Sequence, residues 1–150
     1  VRTNADTPAD AKKARELGNR VIEKRIPKMY IDGILKLQRC MQEKIAQKGI
    51  GIEINPSSNL AISTMKTYAD HPVLNLYSLG LGDKRDIPQM FVSINTDDRG
   101  VFQTSLENEY ALLAASVENL TDENGKKLYT PQEVYEWLNH IRVMGNQQVF

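Results

Sequence analysis

Apolar residues in the first third of the chain recur at helical spacing and predict two helices. The first pattern runs from Thr7 to Ile22, and a threonine followed by proline is a typical helix start. Pro27 interrupts the pattern, because proline lacks an N–H group and clashes with the preceding turn. A second pattern runs from Ile31 to Ile45 and stops before Gly49, a residue type that commonly ends helices. Residues 1–48 are therefore predicted to be helical.

Two later segments show the pattern of β-strands. The segment from Ile50 to Ile54 alternates isoleucine with other residues, and the segment from Gln89 to Asn95 is mostly apolar. Each is followed by turn-forming residues, at positions 55–59 (NPSSN) and 96–100 (TDDRG). Strands that alternate with helices predict parallel βα units, so the predicted fold class is α/β.

Three more helical segments are predicted around and after the second strand. A short helical turn is expected after His71, where a proline follows. The segments Thr104 to Glu107 and Thr130 to Glu133 both fit the capping box, in which a threonine is followed three residues later by a glutamate. Apolar residues recur at helical spacing after each box. We therefore predict a helix beginning at each of them, joined by a polar loop.

The predicted sheet is incomplete. A sheet of two strands is marginal in water, and both predicted strands are apolar enough to need neighbours on each edge. The chain has 150 residues, enough for one domain and too few for two, and it opens with Val1 instead of Met. These features indicate part of a larger unit. We expect the chain to associate with the remaining part of that unit or with itself.

Charge and composition exclude several classes of protein. The chain contains 19 Lys and Arg against 19 Asp and Glu, so its formal net charge is zero. Generic nucleic-acid binders and polybasic membrane-surface proteins need an excess of positive charge. No apolar run is long enough to span a bilayer, and Cys40 is the only cysteine, so no internal disulfide can form. We expect a cytoplasmic protein that binds neither nucleic acid nor membranes.

Two adjacent acids, Asp97 and Asp98, close the second predicted strand. Adjacent carboxylates on extended backbone point in different directions, so one could bind a metal while the other accepts a hydrogen bond from a substrate. The alternative is a solvated turn with an aspartate that caps a helix. The segment 55–59 follows the other strand and would line the same rim of a parallel sheet. Its alternative is an ordinary polar turn.

Ligands for a complete metal site are scarce. His71 and His140 are the only histidines, and no His-x-His or Cys-x-x-Cys pair is present. A catalytic zinc site usually takes three or more protein ligands. This chain by itself is therefore not expected to assemble such a site.

The residues around both strand ends resemble the adenosine/AMP deaminase family. That family shows a hydrophobic strand followed by S-x-N-T-D-D or a close variant and then a helix with a Glu-Tyr pair, as found here at 93–98 (SINTDD) and 109–110 (EY). An upstream pattern, E-x-x-P-x-S-N, is similar to the segment 53–59 (EINPSSN), and His71 and its proline lie between the two motifs. The resemblance is good from about Gly49 to Glu118.

The resemblance implies a TIM (β/α)8 barrel that holds zinc at its C-terminal mouth. It implies that this chain is the C-terminal portion of the barrel, about two βα units corresponding to the seventh and eighth strands, with extra N-terminal helices. Asp97 would bind zinc and Asp98 would hydrogen-bond the purine ring. Ser58 and Asn59 would shape the rim beside a purine nucleoside or nucleotide substrate.

The implied layout covers the whole chain as a single segment. Residues 1–48 would be helical, residues 49–120 would run from the seventh strand to the eighth helix, and residues 121–150 would form a C-terminal helix. The remaining zinc ligands and the general-acid glutamate of such a hydrolytic deaminase would lie before Val1. We therefore expect the segment alone to be inactive. One alternative is a non-catalytic binding or structural module derived from the same barrel, and another is a plain α/β domain whose resemblance is coincidental.

Overall fold

The computed structural model describes residues 8–82 and 86–148. The chain divides into two compact units, Val1–Ile34 and Leu35–Phe150. Helix α1 (Pro8–Gly18) lies in the first unit and buries none of its residues. It is shorter than the pattern up to Ile22 predicted. Gly18 and the asparagine after it have low helix propensity, and the apolar residues beyond them are exposed, so nothing stabilises further turns. The predicted cap at Thr7 lies outside the described residues.

Helix α2 (Lys28–Gln47) begins directly after Pro27, three residues before the predicted start at Ile31. It ends before Gly49, as the sequence predicts. Gly49 has a φ of +64°, a left-handed conformation that costs glycine little. The Gly49 N–H donates to the carbonyl of Ala46 at 3.0 Å, and the Ile50 N–H donates to the carbonyl of Ile45 at 3.2 Å. This pair of hydrogen bonds is a Schellman motif, which satisfies carbonyl groups that the helix end leaves unpaired.

Strands β1 (Gly51–Ile54) and β2 (Phe91–Ile94) form a two-stranded parallel sheet, which confirms the predicted pairing. The register places Ile52 opposite Val92 and Ile54 opposite Ile94. Ile54, Val92 and Ile94 are buried, so one face of the sheet packs into the core.

Most of the remaining elements are helices. They are α3 (Pro56–Ile62), a 3₁₀ turn (Tyr68–Asp70), α4 (Val73–Leu76), α5 (Arg99–Phe102), α6 (Leu106–Glu118) and α7 (Pro131–Gln147). The segment 55–59 was expected to be a turn, but all of it except Asn55 belongs to α3. Proline followed by serines is typical of turns and also of the first turn of a helix, so local composition does not separate the two.

The two capping boxes differ in outcome. At α7 the predicted box is confirmed: the Thr130 N–H donates to Glu133 Oε2 at 2.7 Å, and the Glu133 N–H donates to the Thr130 hydroxyl oxygen at 3.3 Å. At α6 the predicted N-cap is wrong by one residue. Ser105, not Thr104, caps the helix by accepting from the N–H of Asn108 at 3.3 Å.

The core lies between one face of the sheet and helices α4, α6 and α7. Trp137 is its largest fully buried side chain, and its indole N–H donates to the carbonyl of Tyr77 at 3.1 Å. The buried apolar residues are Ile54, Val73, Leu74, Tyr77, Leu81, Met90, Val92, Ile94, Leu113, Val117, Tyr129, Val134, Trp137, Leu138 and Ile141. Within the described part of the chain, no helix has both the length and the apolar character needed to cross a membrane.

Candidate active site

The segments after β1 and β2 meet at the carboxyl edge of the sheet. Because the strands are parallel and in register, their C-terminal ends lie side by side. The Asn95 N–H donates to the carbonyl of Ile54 at 2.9 Å, which extends the pairing one residue beyond β2. Residues 55–59 and 96–100 therefore form one rim, as the sequence predicts.

A short hydrogen bond joins two of the predicted site residues across this rim. The Ser58 hydroxyl donates to Asp97 Oδ2 at 2.6 Å, although the residues are 39 positions apart in sequence. Ser58 is 1% exposed, whereas Asp97 is exposed. A buried hydroxyl group therefore orients the carboxylate of an exposed residue.

The backbone at Asp97 adopts a conformation uncommon for residues with a side chain. Its φ is +54°, in the left-handed region that aspartate and asparagine tolerate better than most residues. The Thr96 hydroxyl donates to the Asp97 carbonyl at 3.1 Å and supports this turn. Strained backbone of this kind is concentrated at functional sites in proteins. The carboxylates of Asp97 and Asp98 have different partners, as predicted, but through this left-handed turn and not through the extended backbone on which the prediction rested.

Asp98 is the N-cap of α5. Its Oδ1 accepts hydrogen bonds from the N–H groups of Gly100 at 3.0 Å and Val101 at 3.1 Å. The helix-cap alternative raised for this turn is therefore correct for one carboxylate oxygen of Asp98. Asp98 is exposed, and its substrate-binding role stays a prediction.

Asn59 faces the interior of the rim. Its Oδ1 accepts from the N–H of Asn55 at 3.1 Å and lies 3.1 Å from Nε2 of His71. His71 Nδ1 accepts from the N–H of Val73 at 3.1 Å, so the ring proton must lie on Nε2 and is donated to Asn59. The amide oxygen of Asn59 is thus already engaged by two protein donors.

The surroundings of His71 disfavour a positive charge on its ring. Burial lowers the pKa of His71 below its ordinary value of 6.5, and the negative charge of Glu109 opposes that shift only in part. Both ring nitrogens already have partners, and the side chain is buried. His71 therefore organises the rim and is not available as a metal ligand.

Glu109 is a functional candidate that the sequence analysis did not assign. It is fully buried on α6, where its Oε2 accepts from the Ser57 N–H at 2.8 Å and its Oε1 accepts from the Thr104 hydroxyl. The Ser57 hydroxyl also lies 3.1 Å from the phenol oxygen of Tyr68. A signal for Glu109 does exist in the sequence. It shares helical spacing with the apolar Leu113 and Val117, so a carboxyl group occupies a core-facing position.

The described residues do not by themselves form a metal site. Among residues 8–82 and 86–148, no three His, Cys, Asp or Glu side chains are close enough together to hold a metal ion. Asp97 fits the role of a single ligand, because carboxylates that bind metals are typically oriented by a hydrogen bond such as the one from Ser58. His140 is exposed on α7, with Nδ1 3.4 Å from the carbonyl of Leu79, and does not join the rim.

Comparison with known proteins identifies relatives of the chain. The family model for adenosine deaminase matches residues 32–131, two thirds of the chain, and this span contains both motifs. An adenine deaminase from Rhizobium meliloti is 33% identical over 70 residues, which cover 47% of this chain and 19% of that protein. An adenine deaminase from Sinorhizobium fredii is 32% identical over 72 residues, covering 48% and 19%. An adenosine deaminase from Erwinia tasmaniensis is 35% identical over 94 residues, covering 59% and 26%.

These matches cover only part of each relative. The chain spans between about a fifth and a quarter of the length of these curated relatives. No solved structure matches it. The family match begins inside α2, upstream of Gly49, and excludes a coincidental resemblance of an unrelated α/β domain. This chain belongs to the adenosine deaminase family.

Proposed function

We propose that this chain is part of a zinc-dependent hydrolytic deaminase that acts on adenosine, adenine or a related purine nucleoside or nucleotide. Family membership supports deamination of a purine. The relatives include proteins named adenine deaminase and adenosine deaminase, so the purine base is the part their substrates have in common. We further propose that residues 49–120 correspond to the last two strands and the following helix of a (β/α)8 barrel, with residues 121–150 forming the C-terminal helix.

The hydrogen bond between Ser58 and Asp97 is the observation that carries this proposal. It lies at the carboxyl edge of a parallel strand pair, the edge at which barrel enzymes place their active sites. Asp97 would be one zinc ligand, with the other ligands supplied by residues outside the described rim. Zinc, when bound there, would lower the pKa of its water so that the water could lose a proton and attack the purine carbon bearing the amino group, from which ammonia would leave.

The other rim residues would have distinct roles. Asp98 would accept a hydrogen bond from the purine ring through the oxygen that does not cap α5. Ser58 and Asn59 would shape the rim, since the Ser58 hydroxyl donates to Asp97 and the Asn59 oxygen accepts from Asn55 and His71. The alternative is a binding module of the same family that has no catalysis.

An Asp97→Asn variant of the protein tests the proposed metal role. Asparagine tolerates the left-handed backbone, so the turn is kept while the negative charge is lost. We expect zinc affinity to fall by more than about 100-fold, because even residues that only orient a ligand change affinity by about 10-fold to 100-fold. Deamination of adenosine and adenine should fall with it. The measurements are zinc content by elemental analysis and ammonia release.

Asp122→Asn is the matched control. Asp122 is an exposed aspartate that also accepts hydrogen bonds from backbone N–H groups, here those of Asn124 and Lys126, and asparagine can accept them equally. Zinc content and activity should not change in this variant. If zinc content and deamination survive Asp97→Asn, the assignment of Asp97 is wrong. Zinc binding without deamination of any purine by the unsubstituted protein would favour the binding module.

A further inference from the structure

Glu109 places a carboxyl group in the core. It is fully buried on the face of α6 that also carries Leu113 and Val117. Burying a carboxyl group is costly unless hydrogen bonds replace its water. Glu109 has such bonds on both oxygens, from the N–H of Ser57 and from the hydroxyl of Thr104. A leucine at this position would avoid the cost of burial, so the carboxyl group needs an explanation beyond packing.

The hydrogen bond from Ser57 shows what the carboxyl group does. Ser57 lies in the first turn of α3, where N–H groups have no partner within the helix. The N-cap residue, Asn55, makes no side-chain hydrogen bond to this turn. Glu109 therefore supplies the cap from another helix, 52 residues away in sequence.

The capped turn is also the one that reaches Asp97. Ser57 donates its N–H to Glu109 at 2.8 Å, and the next residue, Ser58, donates its hydroxyl to Asp97 at 2.6 Å. Consecutive residues of α3 are thus held by two different acids, one buried and one exposed. A shift of this turn toward or away from α6 would move the Ser58 hydroxyl relative to Asp97.

We propose that Glu109 is a positioning residue, which caps α3 so that the Ser58 hydroxyl stays on Asp97 and orients that carboxylate for its metal. This inference rests on the proposed function, in which Asp97 is a zinc ligand. Glu109 acts through Ser58 and touches neither metal nor substrate. The competing explanation is that Glu109 only stabilises the fold.

A double-mutant cycle on zinc affinity separates the two explanations. The variants are Glu109→Ala, Ser58→Ala and the double substitution, made in the full protein and measured by competition between the protein and a chelating dye for zinc ions. We expect about a 10-fold loss of affinity for each single variant, at the lower end of the range for residues that orient a metal ligand. The double variant should match Ser58→Ala, because Glu109 has nothing left to position once the hydroxyl is gone.

Three further variants test whether a loss of zinc affinity in Glu109→Ala is specific to its hydrogen bonds. Glu118→Ala removes a carboxyl group from the C-terminal end of the same helix and should leave zinc affinity unchanged. If Glu109→Ala does not fold, the cycle is repeated with Glu109→Asp, which keeps the carboxyl group but shortens its reach by one methylene. Glu109→Gln, whose amide can accept from Ser57 and donate to Thr104, should restore most of the affinity.

Each outcome has one meaning. Zinc affinity that is unchanged in Glu109→Ala, or that falls by the same factor with and without Ser58→Ala, overturns the positioning role. If Asp97→Asn lowers zinc affinity while Glu109→Ala does not, only this inference fails. If Asp97→Asn itself leaves zinc affinity unchanged, the proposed function fails and the role of Glu109 fails with it.

Discussion

The segments that follow β1 and β2 share one edge of the sheet but differ in burial and in partners. After β1, Pro56 and Ser58 are buried, and the turn is held by Glu109 and His71. After β2, the carboxylate groups of Asp97 and Asp98 are exposed. The single direct side-chain link between the two segments is, within the described residues, the hydrogen bond from Ser58 to Asp97.

This difference indicates a division of roles along the rim. In the segment after β1, polar groups of Ser57, Ser58 and Asn59 are already paired with protein groups. The segment after β2 presents carboxylate oxygens that are still free to meet a ligand. Functional sites work best when exposed reactive groups are held by a rigid, hydrogen-bonded support. Substitutions in the two segments should separate stability from ligand binding if the roles are divided in this way.

The largest expected effect on stability comes from Glu109, which holds the segment after β1. Glu109→Ala should lower the free energy of unfolding by about 3 kcal/mol, because it leaves the Ser57 N–H buried without its acceptor and opens a cavity. Asp97→Asn should change it by less than about 0.5 kcal/mol, as is usual for exposed positions. Urea denaturation followed by circular dichroism measures both. Equal losses of unfolding free energy in Glu109→Ala and Asp97→Asn would contradict the proposed difference between the segments after β1 and β2.

A smaller effect is expected at Asp98, which caps α5 and is also the proposed substrate contact. Asp98→Ala should cost about 1 kcal/mol of unfolding free energy, because the N–H groups of Gly100 and Val101 lose their acceptor. Asp98→Asn keeps the cap, since asparagine is an equally good N-cap, and should leave stability unchanged. If Asp98 also binds the purine, Asp98→Asn should still raise KM for the substrate. A normal KM in that variant would limit Asp98 to capping.

The smallest expected effect is a pH dependence of the free energy of unfolding, caused by His71 beside the segment after β1. The pKa of His71 lies below 6.5 because burial disfavours the charged ring, with Glu109 opposing. The unfolded chain then binds this proton more readily than the folded one. The contribution of His71 to stability is therefore complete above about pH 6.5 and declines as the pH falls below it.

His71→Gln should flatten this part of the stability profile, and His140→Gln, at an exposed histidine, should not. Urea midpoints between pH 5 and pH 8 provide the comparison. A midpoint that declines equally toward acid in all three proteins would show that another group is responsible.

Local patterns predicted much of the fold correctly. The alternating isoleucines from Ile50 to Ile54 predicted a strand, and β1 forms there over Gly51–Ile54. Gly49 ends α2, and the capping box at Thr130 begins α7, both as predicted. Each of these signals depends on residues within a few positions of one another. Such features are readable from sequence because the hydrogen bonds that form them are short in range.

The errors arose where one local pattern is compatible with two structures. Residues 55–59 suit a turn or a helix start, and in the structure they begin α3, where the Ser57 N–H of the first turn donates to Glu109 on α6. At α6, Thr104 and Ser105 are both suitable caps. Thr104 is engaged by the buried Glu109, and Ser105 takes the cap position.

The candidate site also has features that local sequence indicates and features that it does not. The motif around Asp97 and Asp98 was sufficient to indicate a family and a rim at the strand ends, because those residues are neighbours in the chain. The spacing of Glu109 with Leu113 and Val117 also indicates that its carboxyl group faces the core. The hydrogen bonds from Ser58 to Asp97 and from Ser57 to Glu109, by contrast, join residues 39 and 52 positions apart. Hydrogen bonds over such separations exist only once the core has brought β1, β2 and α6 together, so no local pattern could have indicated these partners.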